Sequence, residues 1–463
     1  MLRRTAGLAL ALVVLIDARA HATCTAKVVG NQFVIDGCDV VINGGNLFVQ
    51  NGLGSTATTN GKGNIIVGYN EPRSDTTPAD RAGSHNLIVG VRHHYPSYAG
   101  MALGRQNTVS GPYSSVTGGG QNTASGNRSS VSGGQNNIAS GDYSSVTGGE
   151  LNQATDVGTS ISGGVANLAG PGTLPTQPTL TGSEGASVAG GWLNTASGQI
   201  ASVSGGASNT ANGPWSSVSG GADNTASNTY CSVSGGNGNT ASAPYASVSG
   251  GVRNAASSVF ASVSGGENNS ASGDVSSVSG GEYNTASGEL SSVSGGDGNA
   301  ASGSNASVTG GIGNKATSGF TSVSGGASNV AGPGTPFGVP TLTGSDGASV
   351  SGGTRNTATG LLTSVCGGDG NTASGGESSV SGGASNTASG QYSAVSGGTG
   401  NAASSLSSSV SGGDFNVASG GEASSVSGGD GNTASGEASS VSGGSLLTES
   451  TNFAWAAGSL HSP

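Results

Sequence analysis

The stretch "SSVSGGQNNIASGDYSSVTGG", residues 129–149, ends by returning to the phrase with which it begins. Aligning the chain on the apolar residue of that phrase gives 21 anchors between Val116 and Val441, and 17 of the 20 steps between them equal the first, from Val116 to Val131. A fixed period, here about 15 residues, is typical of a solenoid, in which each repeat forms one coil stacked on the previous one. The repeat therefore predicts order in a chain whose composition alone indicates disorder.

The composition excludes several classes of partner. The chain has 463 residues, of which 90 are Gly, and only 8% are charged and 4% aromatic. Without a period, such a composition is typical of a flexible coil. The net charge is −11 with 13 Lys and Arg residues in all. No basic patch is available to neutralise phosphates, so neither nucleic acid nor an anionic membrane surface is an expected partner.

Each repeat predicts two short strands. Every anchor is followed by Gly-Gly two and three positions on, and all but the last by Asn at six and Ala at eight, as in Val116 with Asn122 and Ala124. The phrases S/A-x-V-x-G and N-x-A-x-G then alternate like strands separated by Gly-containing corners. We expect Val, Ala, the small residue before each and the Gly after each to face inward, and the intervening Ser and Thr to face outward. The Asn residues are expected to form a stacked ladder.

These features predict an all-β fold, a parallel β-solenoid or β-roll with one coil for each repeat. Residues 1–22 have the form of a signal peptide, with Arg3, Arg4, an apolar run and the triplet 20–22, so we expect a secreted or cell-surface protein. No later stretch approaches the length of a transmembrane helix. Residues 23–103 are interpreted as an N-terminal cap with irregular coils, since "GNIIVG" and "HNLIVG" keep the pattern N-x-I-x-G.

Residues 104–444 are interpreted as the regular repeats, and residues 445–463 as a C-terminal cap. Two insertions, each of about 12 residues, lie near 170–185 and 332–347, and we expect them to leave the rod as loops at the same corner. Outside the cell, Cys24 and Cys38 are close enough in sequence for one disulfide.

One recurrent outward position lies just before the inner Ala and holds Thr in 10 of 20 coils. It is a candidate binding column, although Ile138, Gln153, Leu168, Lys315 and Val417 interrupt it. Recent tandem duplication would also produce such a column without any function. Its members are Thr123, Thr195, Thr210, Thr225, Thr240, Thr285, Thr357, Thr372, Thr387 and Thr433.

Two clusters are candidate metal sites. His85, His93 and His94 lie close in sequence, but a metal would need ligands converging from neighbouring coils, and exposed loop histidines are the simpler interpretation. Three carboxylates, Glu267, Glu282 and Asp297, fall at the same corner of consecutive coils; a bound cation or plain solvation would accommodate them. We predict no metal and no cofactor.

Catalysis is not expected. The serines are too numerous to single one out as a nucleophile, and no His lies in register with them. Some parallel β-helices act on polysaccharides with clustered carboxylates or basic residues, but this sequence forms no such cluster. A polysaccharide-acting enzyme is a third alternative, behind two non-catalytic functions.

The paired phrases over residues 104–444 resemble the head repeats of trimeric autotransporter adhesins, the YadA-like, haemagglutinin-type (Hep_Hag) β-roll, whose units are of similar length. The resemblance implies a left-handed β-roll, a homotrimer, and adhesion to a host or environmental surface such as extracellular matrix or polysaccharide. The heptad stalk and anchor of that family have no counterpart in this sequence, so the mode of surface attachment is left open.

The same phrases are similar to the x-x-N-x-V-x-G repeat of plant-type ice-binding β-rolls. That resemblance implies ice as the alternative partner, contacted by the hydroxyl and methyl groups of the Thr column. The five interruptions of the column weigh against it, because a flat ice-matching face tolerates them badly.

Overall fold

The computed structural model describes residues 25–29, 32–36, 40–74, 81–171, 184–333, 346–458 and 460–462. Throughout these residues the regular structure is β, without any α-helix. None of the described segments forms a helix long and apolar enough to cross a membrane. The chain divides into two compact units, Met1–Gln50 and Asn51–Pro463. The predicted all-β class and the parallel solenoid are confirmed.

The first unit contains a hairpin. Strand β1 (Thr25–Val29) pairs antiparallel with β2 (Gln32–Asp36), and Thr25 lies opposite Asp36. Residues 1–24 lie outside the described residues, and so do Cys24 and Cys38. The signal peptide and the disulfide therefore remain predictions.

The second unit is a parallel β-solenoid of about 23 coils with a repeat spacing of ~15 residues. Its first sheet begins with β3 (Ile65–Val67), β4 (Leu87–Val91) and β5 (Met101–Arg105), which pair in parallel and in register. The predicted early start of the solenoid is thus confirmed. The sheet continues with one two-residue strand per coil at each anchor: Ser115–Val116, Ser130–Val131, Ser145–Val146, Ser160–Ile161, Ser187–Val188, Ser202–Val203, Ser217–Val218, Ser232–Val233, Ser247–Val248, Ser262–Val263, Ser277–Val278, Ser292–Val293, Ser307–Val308, Ser322–Val323, Ser349–Val350, Ser364–Val365, Ser379–Val380, Ala394–Val395, Ser409–Val410, Ser425–Val426 and Ser440–Val441.

The second sheet is built from the other strand of each coil. A single-residue bridge, such as Ala207 with Ala222, adds a third line of parallel pairing at the corner between the two sheets. The strands of the second sheet are Thr108–Val109, Thr123–Ala124, Ile138–Ala139, Gln153–Ala154, Leu168–Ala169, Thr195–Ala196, Thr210–Ala211, Thr225–Ala226, Thr240–Ala241, Ala255–Ala256, Ser270–Ala271, Thr285–Ala286, Ala300–Ala301, Lys315–Ala316, Val330–Ala331, Thr357–Ala358, Thr372–Ala373, Thr387–Ala388, Ala402–Ala403, Val417–Ala418, Thr433–Ala434 and Thr448–Glu449.

The core is a thin line of small side chains between the two sheets. Val203 is 1% exposed and Ala211 is fully buried, and the same holds for their equivalents along the rod. The residue two positions before each anchor, for example Ser216 or Cys231, is buried as well. Val and Ala fill most of this interior, and the larger buried side chains Ile88 and Tyr95 lie in the N-terminal coils. The register of stacked coils rather than core volume therefore maintains the fold.

The prediction that the Gly after each anchor faces inward is wrong. The strand ends at Val203, so the alternation does not reach Gly205, whose side-chain position has no atom within 4 Å. The next residue, Gly206, turns the corner with φ of +88°, and a Cβ there would overlap the carbonyl oxygen of Gly221 in the following coil. The second glycine of each pair is therefore the one that the turn requires.

The predicted asparagine ladder is confirmed. The backbone N–H of Asn209 donates to Oδ1 of Asn194 at 3.0 Å. Its Nδ2 donates to the carbonyl oxygens of Gly205 and Gly221, both at 2.9 Å. The backbone and side chain of one buried residue thus together link three successive coils and satisfy backbone groups that the corner would otherwise leave unpaired.

The ladder runs past both insertions without a break. The backbone N–H of Asn194 donates to Oδ1 of Asn167 at 3.0 Å, and that of Asn356 to Oδ1 of Asn329 at 2.9 Å. The coils on either side of each insertion therefore stack as neighbours. Most of the inserted residues lie outside the described ones, so their expected exit as loops remains a prediction.

The pattern changes at the C-terminal end. Glu449 takes the inner position that Ala holds in the coil before it, and its Oε1 accepts the backbone N–H of Thr451 at 2.9 Å. Trp455–Ala457 extends the first sheet in parallel, and Leu460–Ser462 then pairs with it antiparallel. An antiparallel last strand ends the stacking of parallel coils.

Candidate binding surfaces

The structure places the ten predicted Thr residues in one line on the outer face of the second sheet. Each is partly exposed beside a fully buried Ala. Thr195, Thr210, Thr225 and Thr240 are direct neighbours in four successive coils. A second run is formed by Thr357, Thr372 and Thr387. Thr123 pairs with Thr108, and Thr433 pairs with Thr448.

The line is interrupted where the sequence predicted. Ile138, Gln153 and Leu168 follow Thr123 in consecutive coils; further along, Lys315 lies between Ala300 and Val330, and Val417 lies between Ala402 and Thr433. The side chains of Gln153 and Lys315 are exposed, so they project from the face. The longest unbroken Thr run therefore spans four coils.

A second column was missed by the sequence analysis. It occupies the corner three residues before each anchor, and before Ala456, which pairs with the last anchor; every residue there has a positive φ, between 49° and 73°. Large apolar side chains at this position, each between 43% and 75% exposed, form what we call the corner ridge. Its members are Tyr113, Tyr143, Ile200, Trp215, Tyr230, Tyr245, Phe260, Val275, Leu290, Phe320, Leu362, Tyr392 and Phe453.

Seven members, Ile200 to Leu290, occupy consecutive coils and are called the central ridge. Within it four aromatic rings stack: Trp215 on Tyr230 at 5.4 Å between centroids, Tyr230 on Tyr245 at 5.0 Å, and Tyr245 on Phe260 at 4.8 Å. Interplanar angles of 12–18° make the rings nearly parallel. Both faces of Tyr230 and of Tyr245 are therefore covered by neighbouring rings.

A cation takes the place of a ring near the start of the ridge. The Arg128 guanidinium lies 5.6 Å from the ring centroid of Tyr113 and 5.3 Å from that of Tyr143. Cation–π contacts at an exposed site contribute about 0.5–1 kcal/mol each. The column of stacked side chains thus continues through a charged residue.

The backbone conformation at the ridge is energetically unfavourable for large side chains. A left-handed φ disfavours side chains with a Cβ by roughly 1–2 kcal/mol, and most strongly β-branched ones such as Ile200 and Val275. The corner five residues after each anchor has the same positive φ, and there Gly, Asn, Asp or Ser follows 12 of the 21 anchors and a large apolar side chain follows 5. At the corner three residues before each anchor the numbers are reversed: Gly, Asn, Asp or Ser precedes 5 of the anchors, and a large apolar side chain precedes 12. Aligning the repeats on this position would have revealed the column.

His85, His93 and His94 all lie within the described residues, and they are not grouped closely enough to hold a metal ion. His93 is 3% exposed, so the interpretation of an exposed loop histidine is wrong for this residue. Its Nε2 donates to the carbonyl oxygen of Val89 at 3.1 Å, and its Nδ1 accepts the backbone N–H of Asn107 at 3.3 Å. Burial lowers the pKa of His93 below its ordinary value. His85 likewise contacts backbone groups, those of Asn51 and Thr56.

The three carboxylates do line up, as predicted. Glu267, Glu282 and Asp297 are bridge partners in successive coils, on the exposed side of a corner. Over the described part of the chain, no three His, Cys, Asp or Glu side chains are grouped closely enough to hold a metal ion. Solvation is the simpler account of these carboxylates.

No protein-family model matches this chain, and no curated protein matches its sequence significantly. The surfaces themselves are therefore the ground for a functional proposal.

Proposed function

We propose that this chain is a secreted or cell-surface β-roll that acts through repetitive contact with a surface, as an adhesin-like or structural binding protein. The observation that carries the proposal is the in-register repetition of small hydroxyl side chains on the outer face of the second sheet, with Thr195 to Thr240 as its most regular part. Weak contacts repeated along a rigid rod add up to strong binding without any single deep site.

The expected partner is a polysaccharide or an extracellular-matrix surface. Both present repeated polar groups that small hydroxyl side chains can contact by hydrogen bonds and bridging water. The resemblance to adhesin heads supports the same partner and adds a homotrimer, in which three rods would present parallel binding faces.

Retention of the purified full chain on immobilised polysaccharides and matrix proteins tests the proposal. Replacing Thr210 and Thr225 by Val removes two hydroxyls with little change of shape, and we expect several-fold weaker retention. Ser217→Ala with Ser232→Ala makes a matched change on the first sheet and should leave retention unaltered. Equal retention of both variants, or none for the unmodified chain, would refute the proposal.

Ice binding is a second candidate, favoured by the same four adjacent Thr residues, because hydroxyl and methyl groups at a constant spacing can order water. The test is inhibition of ice recrystallisation. Thr210→Lys with Thr225→Lys should abolish any inhibition, and an unmodified chain without effect on crystal growth would exclude this candidate.

A further inference from the structure

We propose that the corner ridge is the surface at which a second copy of this chain binds, with two rods side by side and their central ridges in contact. This inference deepens the proposed function, on which its biological use rests, by naming the face through which copies associate. A larger assembly that uses the same ridge, including a trimer, is consistent with it.

The exposed side chains of the corner ridge have an energetically unfavourable backbone conformation. Each ridge residue adopts a left-handed φ that Gly or Asn would adopt more easily, and Gly158, Gly347 and Asn305 hold the position in other coils. Stacking of aromatic rings contributes about 0.5–1.5 kcal/mol per pair, which only offsets the backbone cost. A side-chain role in the isolated rod therefore does not account for half-exposed apolar residues in seven consecutive coils.

The stacked rings of the central ridge leave their edges, rather than their faces, available to a partner. Sugar rings bind aromatic side chains face to face, but the faces of Tyr230 and Tyr245 are covered by their neighbours at 4.8–5.4 Å. The ring edges that remain are largely apolar and carry the hydroxyl groups of the two tyrosines and the indole N–H of Trp215. Such a row of edges fits another apolar protein surface better than it fits a carbohydrate.

The distribution of charge also favours contact along the central ridge. The chain carries a net charge of −11, so two copies repel one another over most of their surfaces. The central ridge contains no charged residue, and its flanking positions Gln199, Pro214, Thr229, Pro244 and Val259 are uncharged as well, whereas the last two flanking positions are Asp274 and Glu289. Contact between copies is therefore least opposed over the first five coils of the central ridge, Ile200 to Phe260, whereas an anionic membrane would be repelled.

The exposed area of the central ridge and the spacing of its side chains suit a second copy of the chain. A half-exposed large side chain leaves about 100 Å² accessible, so the seven residues of the central ridge offer roughly 600 Å². The half-buried Pro214, Pro244 and Val259 extend this area. The total approaches the area that a stable interface buries on each partner, about 800 Å². A second copy also has the same rise of about 4.8 Å per coil, so its ridge stays in register over the whole contact.

Sedimentation velocity of the full chain over a range of concentrations tests the inference. The test variant replaces Trp215, Tyr230, Tyr245 and Phe260 by Asn, which tolerates a left-handed φ and already occurs in this column at Asn305. The control variant replaces Tyr283 and Phe415 by Asn. Both of these are exposed aromatic residues with φ of 54° and 55°, but they lie at the opposite corner.

We expect the unmodified chain and the control to sediment as dimers or larger assemblies, and the ridge variant to sediment as a single chain with unchanged circular dichroism, its self-association weakened at least 100-fold. A monomeric unmodified chain, or a ridge variant that assembles like the control, would overturn the inference. Surface retention is measured separately. A monomer that still binds a surface overturns the interface alone, and an assembled chain that binds no surface overturns the proposed function alone.

Discussion

His93 begins the asparagine ladder by standing in for an asparagine. Its Nδ1 accepts the backbone N–H of Asn107 at 3.3 Å, in the role that Oδ1 of Asn107 then plays for Asn122 at 2.8 Å. Its Nε2 donates to the carbonyl oxygen four residues earlier, Val89, as Nδ2 of Asn107 does to Leu103. The imidazole fulfils both functions only while it is neutral, since protonation would place a hydrogen on the accepting nitrogen.

The first prediction is a loss of stability of the N-terminal coils in acid. Because burial, with a smaller effect of nearby Arg73, lowers the pKa of His93 in the folded chain, the unfolded chain takes up a proton first as the pH falls below about 6.5. The stabilising effect of the neutral ring is complete above that pH and decreases by up to about 1.4 kcal/mol per pH unit below it, until the lower folded pKa is reached. Hydrogen exchange at the amides around 86–108, measured between pH 7.5 and 5, checks it.

His93→Asn is the matched variant for that experiment. Asn restores the ladder side chain and cannot titrate, so acid-dependent exchange in these coils should disappear while protection at neutral pH persists. An unchanged pH dependence in this variant would show that other groups cause it.

The second prediction concerns Asn209. Its replacement by Ala removes the hydrogen bonds that Nδ2 donates to the carbonyl oxygens of Gly205 and Gly221, and leaves the backbone N–H of Asn224 without the acceptor that it contacts at 3.1 Å. Buried unpaired groups of this kind cost about 1–3 kcal/mol each. We expect a local loss of protection of about 3 kcal/mol or more in the three coils around residue 209. Local exchange is the appropriate measurement because a long repeat array need not unfold in one step.

Thr210→Ala is the control in the same strand. Its side chain faces outward, and Ala255 and Ala402 already occupy that position in other coils. A change within about 0.5 kcal/mol is expected. If the two variants lost equal protection, the ladder would not be the main stabilising element.

The third prediction separates the two glycines of one corner. Gly206→Ala places a Cβ against the carbonyl oxygen of Gly221 and strains a φ of +88°, so a cost of about 2–4 kcal/mol is expected. Gly205→Ala meets no atom within 4 Å and should be neutral or slightly stabilising, since Ala reduces the freedom of the unfolded chain. Chemical unfolding of the two variants side by side gives the comparison, and a reversed order would contradict this account of the corner.

The fourth prediction concerns thiol reactivity. Cys366 is exposed, whereas Cys231 is 1% exposed and its Sγ donates to the carbonyl oxygen of Ala243 at 2.9 Å. Burial also raises the pKa of the Cys231 thiol, which lowers the fraction of reactive thiolate. Maleimide labelling of the native chain, followed by peptide mass spectrometry, should modify Cys366 at least 100-fold faster. Comparable rates that persist in the native state would mean that the coil at Cys231 is open.

Much of the fold could be predicted because the repeat records which positions face inward. The anchors such as Val203, the inner Ala211 and the ladder Asn209 occur at fixed offsets, and the structure places each of them inside. The Thr column was predictable for the same reason, since alternation in a strand fixes which side chains face out. The inward placement of Gly205 was wrong because the strand contains only Ser202 and Val203, and the alternation ends with it.

The sequence by itself determined the coil, its period and the line of side chains on each face, because a parallel stack copies one coil's geometry into the next. Only the tertiary structure decided which corner residues adopt a left-handed φ and which of them stack. Successive aromatic residues of the central ridge are separated by one repeat in the sequence: Trp215, Tyr230, Tyr245 and Phe260. One turn of the solenoid nevertheless brings the ring centroids of neighbours within 4.8–5.4 Å. The physical reason is that stacking brings together residues separated by one coil. The contacts within such a column therefore join residues that are not neighbours in the sequence.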